Sequence, residues 1–303
     1  MYEKFYGLTA SPFQLSPDPR FLYTSKGHGR AMAYLVYGVA QAEGFIVITG
    51  EIGAGKTTLA RALANDLPED EVVFAHIVST RLDADDVVRM VAVAFGVPHH
   101  DSKAVLLNEL EQALLAYHRQ GKRALLLVDE AQNLPLGAIE ELRMLSNFEC
   151  DGKSLLQSFL LGQPEFRRTL QRPELEQLKQ RVIASCHLGP MDAAETRAYV
   201  EHRLRTAGWT GDPEIDEPAF AAIHSHTGGI PRRINILCNR LLLLGFMDEK
   251  HALRAADVMA VVEDMADEFA PMQPDEAIEA ARTKAGQAAR ATLPGRDHAA
   301  GKR

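Results

Sequence analysis

Cysteine is scarce: Cys150, Cys186 and Cys238 are the only three in 303 residues, far apart and with no CxxC pair. That excludes a disulfide framework and predicts reduced thiols acting as small buried hydrophobes. Long apolar runs are missing as well. The longest candidates, Ala124 to Val128 and Leu241 to Met247, fall far short of the ~18 residues a membrane-spanning helix needs. The opening MYEKFYGLTASPF has no signal-peptide core, so a soluble, cytoplasmic protein is expected. Basic excess is lacking too, since 33 Lys and Arg face 41 Asp and Glu for a net charge of -8. This is the opposite of the electrostatic footprint of a duplex-coating protein, and nucleic acid is not the expected partner. What is present is a 46% hydrophobic chain, enough apolar material for a sizeable core of about two domains.

The text divides into four parts. Residues 1–43 form an arm rich in aromatics and proline (Tyr2, Phe5, Tyr6, Pro12, Phe13, Pro17, Pro19, Phe21, Tyr23), then a helical stretch from His28 to about Gln41. It is too aromatic for a free linker and is expected to pack on the core that follows. Across 44–190, short apolar runs (GFIVITG, VVFAHIV, ALLLVDE, LLQSFLLG, IASCHLG) alternate with helical patterns. Five buried strands with intervening helices predict a parallel α/β sheet. From 191 to 270 the patterns are helical only, predicting an all-helical second domain. Residues 271–303 are rich in Ala, with Pro271, Pro274 and Pro294 and almost no large apolar residues, and read as a disordered tail.

Chemistry concentrates in five places. GEIGAGKT, comprising Gly50, Glu51, Ile52, Gly53, Ala54, Gly55, Lys56 and Thr57 and followed by Thr58, fits GxxxxGK[ST] between an apolar strand and a helix. Glycines there let backbone N–H groups turn inward around phosphate oxygens. Lys56 reaches the β- and γ-phosphates, and Thr57 can ligate Mg2+. ALLLVDE ends a strand in Asp129 and Glu130: Asp129 suits the metal ion, and Glu130 suits orienting the attacking water. A GTPase would carry an NKxD motif, and no asparagine begins one, so ATP is the expected nucleotide. Gln163 follows the fourth strand, where a polar side chain can stand near the γ-phosphate; a simple turn role before Pro164 is the alternative. Arg181 precedes the last strand and can project to a neighbouring subunit as an arginine finger, with Arg167, Arg168 and Arg172 competing and a surface ion pair as the plain reading. In TGGIPRRIN, Arg232 and Arg233 open a helix, where the dipole disfavours cations. A phosphate across the cleft would explain Arg232.

Taken together, these residues resemble the AAA+ ATPases. More narrowly, MYEKFYGLTASPFQLSPDPRFLY with GFIVITGEIGAGKTTL and DEAQNL resembles the general secretion pathway A (ExeA-like) ATPases, nearest to the subgroup of exosortase (PEP-CTERM) and exopolysaccharide gene clusters. The similarity covers about residues 1 to 270. It implies a P-loop NTPase sheet of order 5-1-4-3-2, a helical lid, ATP between them, and ring-like self-assembly. It also implies that Pro12, Phe13 and Tyr23 lie against the adenine. Two departures stand out: such proteins usually continue into a membrane helix and a peptidoglycan-binding domain, which this sequence lacks, and Gln163 replaces the usual Asn or Thr. The expected function is an ATP-hydrolysing motor or switch for envelope export, partnered by itself and by secretion or polysaccharide-synthesis proteins, and peripheral at the inner membrane through those partners. The alternative is a DNA-associated ATPase of the transposition-helper or replication-initiator kind.

Overall fold

The computed structural model describes residues 1–16, 18–68, 70–78 and 83–268; the tail predicted at 271–303 lies outside them. The five apolar runs become parallel strands: β1 (Phe45–Gly50), β2 (Val72–Val78), β3 (Arg123–Asp129), β4 (Leu156–Gly162) and β5 (Val182–Leu188). Their order in the sheet is β2-β3-β4-β1-β5, the 5-1-4-3-2 arrangement expected. β1 pairs with β4 on one side and β5 on the other, and all six of its residues are buried. A strand buried on both faces must be apolar at every position, which is why FIVIT shows no alternation.

Successive side chains leave a strand on opposite faces. Phe45 and Val47 join one core with Val87, Val91, Leu106, Leu110 and Leu142, while Ile46 and Ile48 join another with Leu35, Leu59 and Leu63. The first face is thus covered by α4 (Ala84–Ala94), α5 (Lys103–Arg119) and α6 (Leu136–Leu145), the second by α2 (Lys26–Gln41) and α3 (Lys56–Asp66). Leu106, Leu110 and Leu114 recur at four-residue spacing on α5, the period that keeps one helix stripe on the sheet. A short hairpin, Glu149–Cys150 with Lys153–Ser154, follows α6. Then α7 (Pro164–Leu170) and the single turn α8 (Glu176–Lys179) lead back to β5.

Beyond β5 come α9 (Ala193–Thr206), α10 (Glu217–Thr227), α11 (Pro231–Met247) and α12 (Ala255–Glu268). α9 opens on a full capping box in which Asp192 accepts from the Glu195 N–H and the Glu195 carboxylate returns to the Asp192 N–H. Gly228 ends α10 in the left-handed region at φ 59°, and Pro231 starts α11. The segment is not purely helical, because Glu214–Ile215 pairs in parallel with Ala252–Leu253; two-residue strands have no period to read from sequence.

The arm corrects another expectation. α2 does lie on the sheet, but the aromatic stretch before it packs on the lid helices. α1 (Tyr2–Phe5) brings the Tyr2 hydroxyl to Asn239 Oδ1 at 2.6 Å. The Tyr6 hydroxyl donates to the Lys250 carbonyl at 3.0 Å, and Thr9 Oγ1 to that of Ala207. The Phe5 ring stacks on His251 at 4.7 Å. Cys186 and Cys238 are buried, as predicted for inert thiols, and burial pushes the Cys238 thiol up, whereas Cys150 is only half-buried. Among the described residues no helix is long and apolar enough to cross a membrane.

Candidate active site

The phosphate loop follows β1 at the carboxyl edge of the sheet, where open parallel α/β sheets place their ligands. Gly53 (φ 80°) and Gly55 (φ 94°) hold left-handed conformations that side chains resist. Space forbids substitution as well: a Cβ on Gly53 would run into the Cβ of Arg232, and one on Gly55 would stand 2.8 Å from His28 Nε2. Lys56, the first residue of α3, is only 6% exposed. Its ammonium folds back onto the loop, donating to the carbonyls of Gly50 at 2.7 Å and Glu51 at 3.0 Å. Burial pushes the Lys56 ammonium below its ordinary pKa, against the opposing pull of Glu130, Asp129 and Glu51.

Asp129 and Glu130 arrive from the end of β3. The buried Asp129 carboxylate accepts from Thr57 Oγ1 at 2.6 Å and from the Glu130 N–H at 2.9 Å. One hydroxyl and one carboxylate, adjacent and oxygen-only, are the donor set a Mg2+ ion takes, so these residues fit it. Glu130 sits at φ 55°, an uncommon backbone for a residue with a side chain. Its Oε2 accepts from Gln132 Nε2 at 2.5 Å and from Gln163 Nε2 at 3.1 Å, while the Gln163 N–H donates to Gln132 Oε1 at 2.9 Å. Three polar side chains thus close a small ring around one carboxylate oxygen. Gln163 is where the sequence placed it; Gln132 was not singled out, and nothing in its spacing marks it before the turn after β3 folds.

A cleft of about 280 Å³ joins these groups to the lid, lined by Gly53, Lys56, Thr57, Thr58, Glu130 and Arg232 on its polar side. Arg232 is brought over the loop as expected, with its backbone N–H donating to the Gly53 carbonyl at 3.2 Å. Of the remaining loop residues, Ile52 lines the cleft as an exposed lip, whereas Gly50, Glu51 and Ala54 do not line it. The other end of the cleft is aromatic. Tyr23 lines it, together with Phe21 and Tyr199. Pro12 and Phe13 do not: Phe13 is 2% exposed inside the core, and the Pro12 carbonyl accepts from Arg203 Nε. Pro12 thus fastens the arm to α9 and Phe13 is buried, which leaves Phe21 and Tyr23 to line the cleft.

Arg181 is not in the cleft. Phe45 donates to its carbonyl at the beginning of β1, so it sits at the opposite end of the strands from the loop, roughly 16 Å of strand away. Its Nη1 donates to Ser146 Oγ at 2.6 Å. Arg167 and Arg172, beside α7, are exposed.

A sheet of this order, with a phosphate loop after β1, an acidic pair at the end of the next strand but one, and a lid residue on the loop, is the AAA+ form of the P-loop NTPase fold, and the chain has that fold. The AAA domain family matches residues 39–170. Within that fold, the chain is similar to general secretion pathway protein A of Aeromonas hydrophila, to which it is 41% identical over 260 residues, 85% of its own length and 47% of the relative's. It therefore spans about half the length of that relative. A structure of the Aeropyrum pernix ORC2 protein matches with a TM-score of 0.62 at 19% identity, over 88% of this chain and 73% of that one. Thermotoga maritima RuvB matches with a TM-score of 0.55 at 16% identity, over 80% and 70%. At such identities these two speak for the fold alone.

Proposed function

We propose that this chain is an ATP-hydrolysing assembly motor or switch for export across the cell envelope, of the exopolysaccharide or PEP-CTERM type. It works at the cytoplasmic side and is held at the inner membrane through its partners. The observation that carries the reading is the unbroken polar run from Thr57 through Asp129 and Glu130 to Gln163, set against the phosphate loop and Arg232. The relation to a secretion-pathway protein supports the export setting.

In this reading Lys56 exchanges the neutral carbonyls of Gly50 and Glu51 for phosphate oxygens, a stronger partner for a buried ammonium. Thr57 and Asp129 hold Mg2+, which when bound supplies charge neutralisation along the phosphates. Glu130 accepts a hydrogen bond from the attacking water and orients it, and Gln132 and Gln163 fix the direction in which its carboxylate points. Arg232 meets the phosphates from the lid, while Tyr23 and Phe21 face the adenine. Protomers assemble in a nucleotide-dependent, ring-like oligomer. Of the arginines able to reach a neighbour's nucleotide, Arg167 and Arg172 are free to do so by their exposure, whereas Arg181 would first have to leave Ser146.

The test begins with turnover: Lys56→Ala and Glu130→Gln should each hydrolyse ATP at least ~100-fold more slowly than wild type. Turnover equal to wild type in both would end the proposal. Glu130→Gln then serves as bait in a pull-down from the native host, with Lys56→Ala as the unloaded control. Envelope or polysaccharide-synthesis proteins enriched only by the Glu130→Gln bait are the expected catch. Duplex DNA with replication or transposition proteins would replace this reading with a DNA-associated ATPase.

A further inference from the structure

Two carbonyls of the phosphate loop are gripped from outside the α/β core. That of Gly53 accepts from Arg232 of α11, and that of Ala54 accepts from His28 Nε2 of α2 at 3.0 Å. His28 lies ahead of the segment the AAA domain family matches, is 7% exposed, and borders the cleft. A carbonyl can only accept, so Nε2 carries the proton. Burial pushes the ring's pKa down, keeping it neutral, and Nδ1 is then an acceptor. The Ser25 hydroxyl, 2.7 Å away, donates to it while accepting from the His28 N–H at 3.2 Å. Every polar atom of the ring is thereby committed, and its tautomer is fixed.

We infer that His28 is a positioning residue for the phosphate cradle: by holding the Ala54 carbonyl it turns the Gly55 N–H toward the bound phosphates. A trans peptide is planar, with its C=O and N–H pointing in opposite directions. Fixing the Ala54 carbonyl on the arm side therefore fixes the Gly55 N–H on the other. The constraint matters because Gly55, at φ 94°, has no side chain of its own to restrict the loop. The brace also reaches the lid: the Lys26 N–H, at the start of the same helix, donates at 2.8 Å to Glu195 of the α9 capping box. The inference rests on the ATPase reading of the loop.

Its test uses the full chain and Mg2+-ATP, measuring affinity with a fluorescent ATP analogue alongside KM and kcat. His28→Ala and His28→Phe should raise Kd and KM roughly tenfold, the loss expected for one buried hydrogen bond of 1 to 2 kcal/mol, with kcat moved far less. His28→Gln, whose amide N–H reaches the same carbonyl, should recover most of that loss. A residue that merely fills space would show no such difference between Gln and Phe, so equal behaviour of the two overturns the proposal, as does unchanged affinity in His28→Ala. Should His28→Ala fail to fold, Ser25→Ala must raise Kd by about threefold through the lost Nδ1 partner, or the proposal falls. Wild-type protein that neither binds nor hydrolyses ATP would instead strike at the ATPase reading itself.

Discussion

Glu130 combines three features that seldom meet in one residue: a left-handed backbone, a carboxylate held by two glutamines, and a place beside a buried lysine. Such a backbone costs about 1 kcal/mol and persists where the surroundings over-determine it, commonly at sites of chemistry. His28 gives the residue scale a further handle, because burial lowers the pKa of its ring, opposed first by its bond to the Ala54 carbonyl and then by the Glu195 carboxylate. In the unfolded chain the ring takes up a proton near its usual 6.5, but in the folded chain only at lower pH. The unfolded state thus binds more protons in between, and stability contributed at this position is lost as pH falls below about 6.5. His28→Gln should therefore lose less Tm than wild type between about pH 7 and about pH 5 in a thermal-unfolding series. Lys56, Thr57, Asp129 and Glu130 were legible in the sequence because each belongs to a contiguous stretch whose spacing is set by its own backbone. Gln132 and His28 were not. Their partners, Gln163 and Ala54, lie 31 and 26 residues away, and only the closing of the fold creates the bonds.

At the scale of elements, the arm and α9 are joined through a buried guanidinium. Arg203 is 8% exposed, donates to the carbonyls of Pro12 and Gln14 and to the Tyr199 hydroxyl, and lies under the Phe21 ring at 5.0 Å. Arg203→Met keeps the stem but strands two buried carbonyls. It should cost about 3 kcal/mol, visible as a lower urea midpoint with an unchanged slope. Strands with a continuous apolar run were readable close to their bounds: ALLLVDE became Arg123–Asp129. What escaped were pieces too short to have a period, such as the hairpin after α6 and the strand pair within the lid. The facing of the aromatic arm escaped for another reason. Proline and aromatic content says that a segment packs, but which surface receives it depends on partners such as Asn239, Lys250 and Ala207 that are more than 190 residues distant.

For the whole molecule, alternation of strand and helix predicted a parallel α/β sheet, but its order came only from the resemblance to the AAA+ ATPases. The strand text alone admits several doubly wound orders. The net charge of -8 has its own consequence at this scale, since any attraction to duplex DNA would have to come from a local patch against a repulsive whole.

The grip on the Gly53 and Ala54 carbonyls comes from residues 232 and 28, whereas the inherited signature shared across AAA proteins runs from 39 to 170. The stretch that marks the AAA domain is thus smaller than the unit of work. A chain trimmed to the shared signature would keep Lys56, Thr57, Asp129 and Glu130 in its sequence yet lose both clamps, together with β5 and most of α2. Titrated with ATP beside the full chain, it should bind at least ~10-fold more weakly despite a complete set of motifs. Anyone dissecting this protein by sequence similarity would then hold a legible fragment that has forgotten how to close its hand.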